Sequence, residues 1–256
     1  MTNNKRVLIL GGTAEAAALT AKIDRIEGVD AIASFAGRTQ QPVTLRNRVS
    51  IRVGGFGGAT GLANYLRSEQ IDLLIDATHP FAAEISFNAA KAASECGIGR
   101  LMLIRPPWEA QPADKWIEVE SHQEAANILP GLAQRIFLTI GRQEIPAYAH
   151  LKNLWFLMRM IDSPDANAAV PQGKLLGEKG PFSYEEEREL LQQYEIGAIV
   201  SKNSGGDATY AKIIAARELG ISVVMIQRLI VPPGDIVAEI ESALVWLKNT
   251  LLQLEK

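Results

Sequence analysis

The stretch "VLILGGTAEAAAL" (residues 7–19) sets four branched or leucyl residues against two glycines, a threonine and an alanine-rich run. Four consecutive large apolar residues suit a strand buried on both faces, and the alanines that follow favour a helix. Gly11 and Gly12 therefore stand at a strand-to-helix turn. Such a turn either only reverses the chain or lets backbone N–H groups approach a phosphate at the helix N-terminus. The spacing departs from the G-x-G-x-x-G pattern of dinucleotide sites, so the motif alone leaves both readings open. Thr13 adds a hydroxyl able to cap the helix or bond a phosphate.

The same alternation continues outward. "AIASF" (31–35), "VSIRV" (49–53), "LLIDA" (73–77) and "RLMLI" (100–104) read as strands, with helices in "GLANYLRSEQ" and "AAEISFNAAKAASEC" between them. Alternating strands and helices predict a parallel α/β sheet covered on both faces. The segment "RPPWEAQPADKW" carries three prolines and reads as a bridge. Beyond it the pattern restarts at 136–140, 154–160, 197–202 and 222–228, with helices near 184–194 and 207–219. Two α/β domains with mainly parallel sheets are expected, at residues 1–112 and 113–256. The last helix is expected within "GDIVAEIESALVWLKNTLLQ", and the sequence leaves open which domain it joins.

Composition narrows the function. Of 256 residues, 47% are hydrophobic and 21% charged, enough for sizeable cores. The net charge of −3 speaks against a nucleic-acid surface. No apolar run approaches the roughly 20 residues that span a bilayer, and "MTNNKRVLIL" enters a strand without a leader's cleavage region, which places the chain in the cytoplasm. The single cysteine, Cys96, reads as a half-buried thiol at a helix end.

Candidate site residues gather at the carboxyl ends of the expected strands, where parallel sheets bind ligands. After the second strand, "FAGRT" puts Arg38, flanked by Gly37 and Thr39, where dinucleotide folds read the adenosine ribose. An arginine there suits the additional phosphate of NADPH. "VGGFGGATG" holds five glycines from Gly54 to Gly61, including Gly55, and reads equally as a ligand approach or a flexible connector. "DATHPFAAE" presents Thr78, His79 and Pro80, with His79 in a positioning or proton-transfer role and Pro80 in a first helical turn. In the second half, "SKNSGGDATYAKII" offers Ser201, Lys202, Asn203, Ser204, Gly205 and Gly206 as a site for a carboxylate, or Ser204 or Asp207 as a helix cap. "LTIGRQEIP" adds Arg142 at a similar strand end, and Ser183 and Glu186 in "GPFSYEEE" form a capping box.

In this order, "LILGGTAEA", "FAGRT", "DATHPFA", "GPFS" and "SKNSGG" resemble the precorrin-6A reductase family, which includes cobalt-precorrin-6A reductases, over nearly the full length. The resemblance implies NADPH-dependent reduction of a carbon–carbon double bond in a carboxylated corrin precursor, giving precorrin-6B in cobalamin biosynthesis. It also implies two Rossmann-like domains about a ligand cleft, without flavin or metal. By this resemblance Gly11, Gly12 and Thr13 match the cofactor turn and Arg38 the NADP phosphate contact. Thr78, His79 and Pro80 match the loop beside the nicotinamide, and residues 202–206 the loop facing the macrocycle.

Two rival readings stand beside it. Tyr148 and Lys152 in "YAHLK" have the Y-x-x-x-K spacing of a short-chain dehydrogenase, although Pro146 is a poor neighbour for a mid-helix pair. A non-enzymatic NADP sensor or tetrapyrrole carrier would use the same fold.

Overall fold

The computed structural model describes residues 4–36, 48–165 and 167–254. The chain forms two compact units, one of residues 1–106 and 229–256, the other of residues 107–228. The first begins with β1 (Lys5–Leu10), α1 (Ala14–Ile23), β2 (Val29–Phe35), β3 (Val49–Val53), α2 (Gly58–Ser68), β4 (Leu73–Asp76), α3 (Ala83–Cys96) and β5 (Gly99–Leu103). These strands lie parallel in the order β3-β2-β1-β4-β5.

Strand β1 shows why the sheet is covered on both faces. Successive side chains point to opposite sides. Val7 and Ile9 join a core with Leu19 and Ile23 of α1, and Leu8 and Leu10 join another with Leu62 and Leu66 of α2 and Ala89 of α3. All four β1 residues are buried. Such burial contributes about 1.5–3 kcal/mol per large side chain. The Cys96 thiol, half-buried at the end of α3, donates to the Ala63 carbonyl.

The second unit contains β6 (Trp116–Val119), α4 (His122–Ile128), β7 (Arg135–Thr139), a 3-10 helix (Ile145–Tyr148), β8 (Trp155–Met160), β9 (Gly173–Gly177), α5 (Tyr184–Gln193), β10 (Ala198–Lys202), α6 (Ala211–Leu219) and β11 (Ser222–Ile226). Its parallel order is β9-β8-β7-β10-β11-β6. The chain then completes the first unit with β12 (Asp235–Val237), which pairs with β5, and α7 (Ile240–Leu254). The sixth place in each sheet is thus filled by the strand that follows the other sheet's fifth.

This connectivity differs from a division at residue 112. Trp108 belongs to the second unit, because its amide donates to Asn203 Oδ1 at 2.8 Å and its indole N–H to the Gly206 carbonyl at 2.8 Å. The C-terminal segment belongs to the first unit, because Ala243 and Leu247, one turn apart on α7, are buried with Val7, Ile9 and Leu19. The expected long final helix is shorter: Asp235–Val237 is a strand, and the helix starts at Ile240. Among the described residues no helix is long and apolar enough to cross a membrane.

Candidate active site

At the end of β1 the backbone of Gly11 is fixed, its amide donating to the Ser34 carbonyl at 2.9 Å. Gly12 is exposed, has a φ of +119°, and leaves nothing within 4 Å of where a Cβ would stand. Positive φ and open space together make a turn that a non-glycine residue would strain and partly fill. Thr13 caps α1: its Oγ1 accepts from the Ala16 amide at 3.0 Å and donates to the Ala77 carbonyl at 2.8 Å. The hydroxyl's one donor is therefore used inside the protein, and of its two readings the structure shows the helix cap. Beside the turn, Arg105 grips both oxygens of Glu15 at 2.9 Å. Burial alone would raise the Glu15 carboxyl, but its own backbone amide and Arg105 outweigh that and hold it below its ordinary range. The sequence reading missed Arg105, which lies two residues past the end of β5.

Gly37, Arg38 and Thr39 lie outside the described residues. After β3, the glycine loop is anchored rather than a loose connector. The Arg52 guanidinium stacks 3.7 Å over the Phe56 ring and donates to the carbonyls of Gly54 and Gly55. Gly55 is exposed, and a Cβ on Gly61 would come 1.8 Å from the Phe56 carbonyl oxygen.

At the end of β4, the buried Asp76 carboxylate organises the loop. Its Oδ1 accepts from the Thr78 amide at 3.1 Å and the Thr78 hydroxyl at 2.7 Å. The His79 Nδ1 accepts from the Phe81 amide at 3.2 Å, so the neutral ring carries its proton on Nε2. Pro80 begins a turn, and α3 starts only at Ala83; the expected place of Pro80 in a first helical turn is corrected accordingly.

In the second unit, Lys202 ends β10 and its Nζ lies 2.7 Å from Glu144 Oε1. Burial would raise the Glu144 carboxyl, yet Lys202, with help from His122 and the backbone, keeps it below the ordinary range. The residues after Lys202 form a clamped loop. Asn203 accepts from the Trp108 amide and donates to its carbonyl, while Arg228 donates to the carbonyls of Asn203 and Ser204. Ser201 is buried, its hydroxyl directed to the Lys202 carbonyl at 3.3 Å. Gly205 and Gly206 have φ of +68° and +76°. Helix α6 begins at Ala211, capped by Tyr210 without a side-chain bond, so neither Ser204 nor Asp207 caps it and the glycine pair does not open a helix. Arg142 is directed elsewhere, donating to the Ser163 carbonyl at 3.3 Å and lying 3.9 Å from the Asp165 carboxylate.

The Ser183–Glu186 capping box is present. The dehydrogenase pair is not assembled: Tyr148 is fully buried in the 3-10 helix, with its hydroxyl 2.9 Å from His122 Nδ1, and Lys152 is exposed. Burial pushes the Tyr148 phenol up, opposite to the need of a proton-transferring tyrosine. His122 was missed by the sequence reading; burial lowers its pKa to about 4.

The chain is similar to known proteins over nearly its full length. The precorrin-6A reductase of Rhodococcus erythropolis is 48% identical over 244 residues, covering 94% of this chain and 97% of that protein. That of Rhodobacter capsulatus is 40% identical over 95% of this chain and 96% of its own. The cobalt-precorrin-6A reductase of Priestia megaterium is 27% identical, with 95% and 98% covered. A solved structure of CobK precorrin-6A reductase superposes with a TM-score of 0.87 at 39% identity, over 96% of each chain. With the family described as precorrin-6x reductase CbiJ/CobK matching residues 6–248, this chain belongs to that family.

Proposed function

We propose that this protein reduces precorrin-6A to precorrin-6B with NADPH, adding hydride to one carbon of a carbon–carbon double bond and a proton to its neighbour. The observation that carries the reading is near-full-length identity of 40% to 48% to precorrin-6A reductases, against 27% and 28% to cobalt-precorrin-6A reductases. That difference favours the metal-free substrate, with the cobalt-containing one as the second reading.

The residues of the first βα turn fit a dinucleotide: Gly12 is exposed at positive φ, and the open space beside it would be narrowed by any Cβ. NADPH, when bound, supplies the hydride. Gly12 and Thr13 would hold its diphosphate through backbone N–H groups, with Gly11, whose amide is bonded to Ser34, letting the turn pack against Phe35, and Gly37, Arg38 and Thr39 would hold its ribose phosphate. Gly55, Thr78, His79 and Pro80 would border the remainder, with Asp76 fixing Thr78 and the Phe81 amide fixing the His79 ring. The loop from Lys202 through Asn203, Ser204 and Gly205 to Gly206 would face the tetrapyrrole, with Lys202 supplying the charge for its carboxylates and Ser201 and the Asn203 side chain holding the loop; Arg142 would have to leave Ser163 to join it. Hydride transfer demands orientation and exclusion of water more than a group of unusual pKa.

The test is the product mass after anaerobic incubation of precorrin-6A with protein and NADPH. The expected product is heavier by one hydride and one proton, formed faster with NADPH than NADH. No mass gain with precorrin-6A, but a gain with its cobalt complex, selects the second reading. Arg38→Ala is expected to weaken NADPH binding far more than NADH binding; equal losses would remove its assigned role.

A further inference from the structure

Glu144, Lys202, His122 and Tyr148 come from the carboxyl ends of three strands of the second sheet and form a group that no sequence motif joins. Glu144 lies in the loop after β7, Lys202 ends β10, and His122 opens α4 after β6. The Glu144 carboxylate folds back over its own loop. A Cβ on Gly141 would stand 2.6 Å from Glu144 Oε2, so glycine at 141 leaves the carboxylate room in this position, with its Oε1 2.7 Å from Lys202 Nζ.

Behind this ion pair lies a neutral one. The His122 ring is bonded to the buried Tyr148 hydroxyl at 2.9 Å and senses both Glu144 and Lys202 electrostatically. With its pKa lowered to about 4 by burial, the ring is uncharged near neutrality. Near neutrality the charge on Glu144 is therefore answered chiefly by Lys202. The side chains of Glu144 and Lys202 are 28% and 15% exposed, so the pair is largely sheltered at the strand ends to which the tetrapyrrole is assigned above.

We propose that Glu144 is a positioning residue for Lys202, holding the ammonium in one direction so that a carboxylate of the tetrapyrrole is received in one orientation. The inference rests on the reading of Lys202 as a substrate contact. It has an unusual sign. Glu144 carries the same charge as the substrate's carboxylates, so its presence weakens attraction while improving orientation. A lysine has a long, rotatable side chain, and a fixed partner removes that freedom before substrate arrives. Binding and turnover should then respond oppositely to its removal.

The experiment measures kcat and KM for precorrin-6A with NADPH, and the tetrapyrrole Kd without NADPH, for the full chain and its Glu144→Gln, Glu144→Ala and Lys202→Ala variants. Glu144→Gln keeps an acceptor oxygen without charge and should lower kcat about tenfold, and Glu144→Ala about 100-fold, as misplacement of a substrate does. In both, KM and Kd should stay unchanged or fall. Lys202→Ala should raise Kd about tenfold. Unfolding temperature should change little in Glu144→Gln, since the amide oxygen still accepts from Lys202. A kcat within about twofold of the parent in both Glu144 variants, or a Kd that rises in parallel with that of Lys202→Ala, overturns the inference. No NADPH oxidation by the parent protein would instead refute the reductase reading. The Kd comparison then decides alone: weaker binding only in Lys202→Ala supports positioning, and weakening in all variants or in none overturns it.

Discussion

Replacing Lys212 by methionine should stabilise the protein, by an amount that shrinks as pH rises. Lys212 is 4% exposed, donates to the Thr209 carbonyl at 2.7 Å and lies 5.0 Å from the Trp108 ring centre. Burial pushes its pKa down to about 7; Glu187 opposes the shift and Arg159 adds to it. Arg159 is itself buried between the Phe137 and Phe182 rings and shares the Glu187 carboxylate. One buried carboxylate thus serves two buried cations, with the half-exposed Glu178 as a further partner of Arg159. In the unfolded chain the ammonium keeps its ordinary pKa of 10.5. Between about 7 and 10.5 the unfolded chain holds a proton that the folded one lacks, so this group's contribution to stability rises with pH across that window. Below about 7 both states are protonated and the full penalty applies. At about 1.4 kcal/mol per pH unit the window bounds the penalty near ~5 kcal/mol. Methionine also gives up the bond to Thr209, so a net gain of about 1–4 kcal/mol near neutral pH is expected. Urea unfolding followed by tryptophan fluorescence suits the measurement, because Trp108, Trp116 and Trp155 lie in the unit of residues 107–228. The variant should lead at about pH 7 and its lead should narrow by about pH 9. A variant less stable than the parent near neutrality, or a lead constant with pH, would refute the reasoning. The companion change Glu187→Gln should cost about 1–3 kcal/mol, since it leaves Arg159 with Glu178 as its remaining carboxylate and Lys212 with the Thr209 carbonyl.

Other outcomes follow from single positions. Gly12→Ala places a Cβ at a φ of +119° and should cost about 1–2 kcal/mol, read as a lower thermal midpoint, together with weaker NADPH binding in a fluorescence titration. Leu247→Ala should destabilise the first unit by about 2–5 kcal/mol, because the side chain is fully buried against β1 and α1; Trp246 fluorescence during unfolding reports on it. For His122 the unfolded chain takes up a proton near pH 6.5 and the folded one only near about 4, so stability should fall as pH drops through that interval. Allowing for the ring's partial exposure, the loss is about 1–2 kcal/mol, and it should vanish in the pH dependence of a His122→Asn variant.

The strands at the centre of each sheet were legible because their evidence is local. Residues 7–10 are apolar without a break, and a strand covered on both faces demands that. The Ser183–Glu186 box was legible for the same reason, since its partners lie within one helical turn. Of the edge strands, β3 was legible as "VSIRV", whereas β6, β9 and β12 were not. β9 is mostly exposed, β6 follows closely on the proline-rich segment, and β12 falls inside a stretch whose apolar spacing also suits a helix. Only pairing with β5 makes Asp235–Val237 a strand.

The site divides along the same line. The sequence alone determined a parallel α/β architecture, a glycine turn after the first strand, and loops of polar residues at later strand ends. Tertiary structure decided what those residues do. The Thr13 hydroxyl is consumed by Ala77, 64 residues away, and Asn203 by Trp108, 95 residues away. Lys202 meets Glu144 across 58 residues, and Tyr148 turns to His122 instead of Lys152. Periodicity and turn chemistry are set by neighbours along the chain, whereas a charge or hydroxyl takes its role from whichever groups the finished sheets bring within about 3 Å of it.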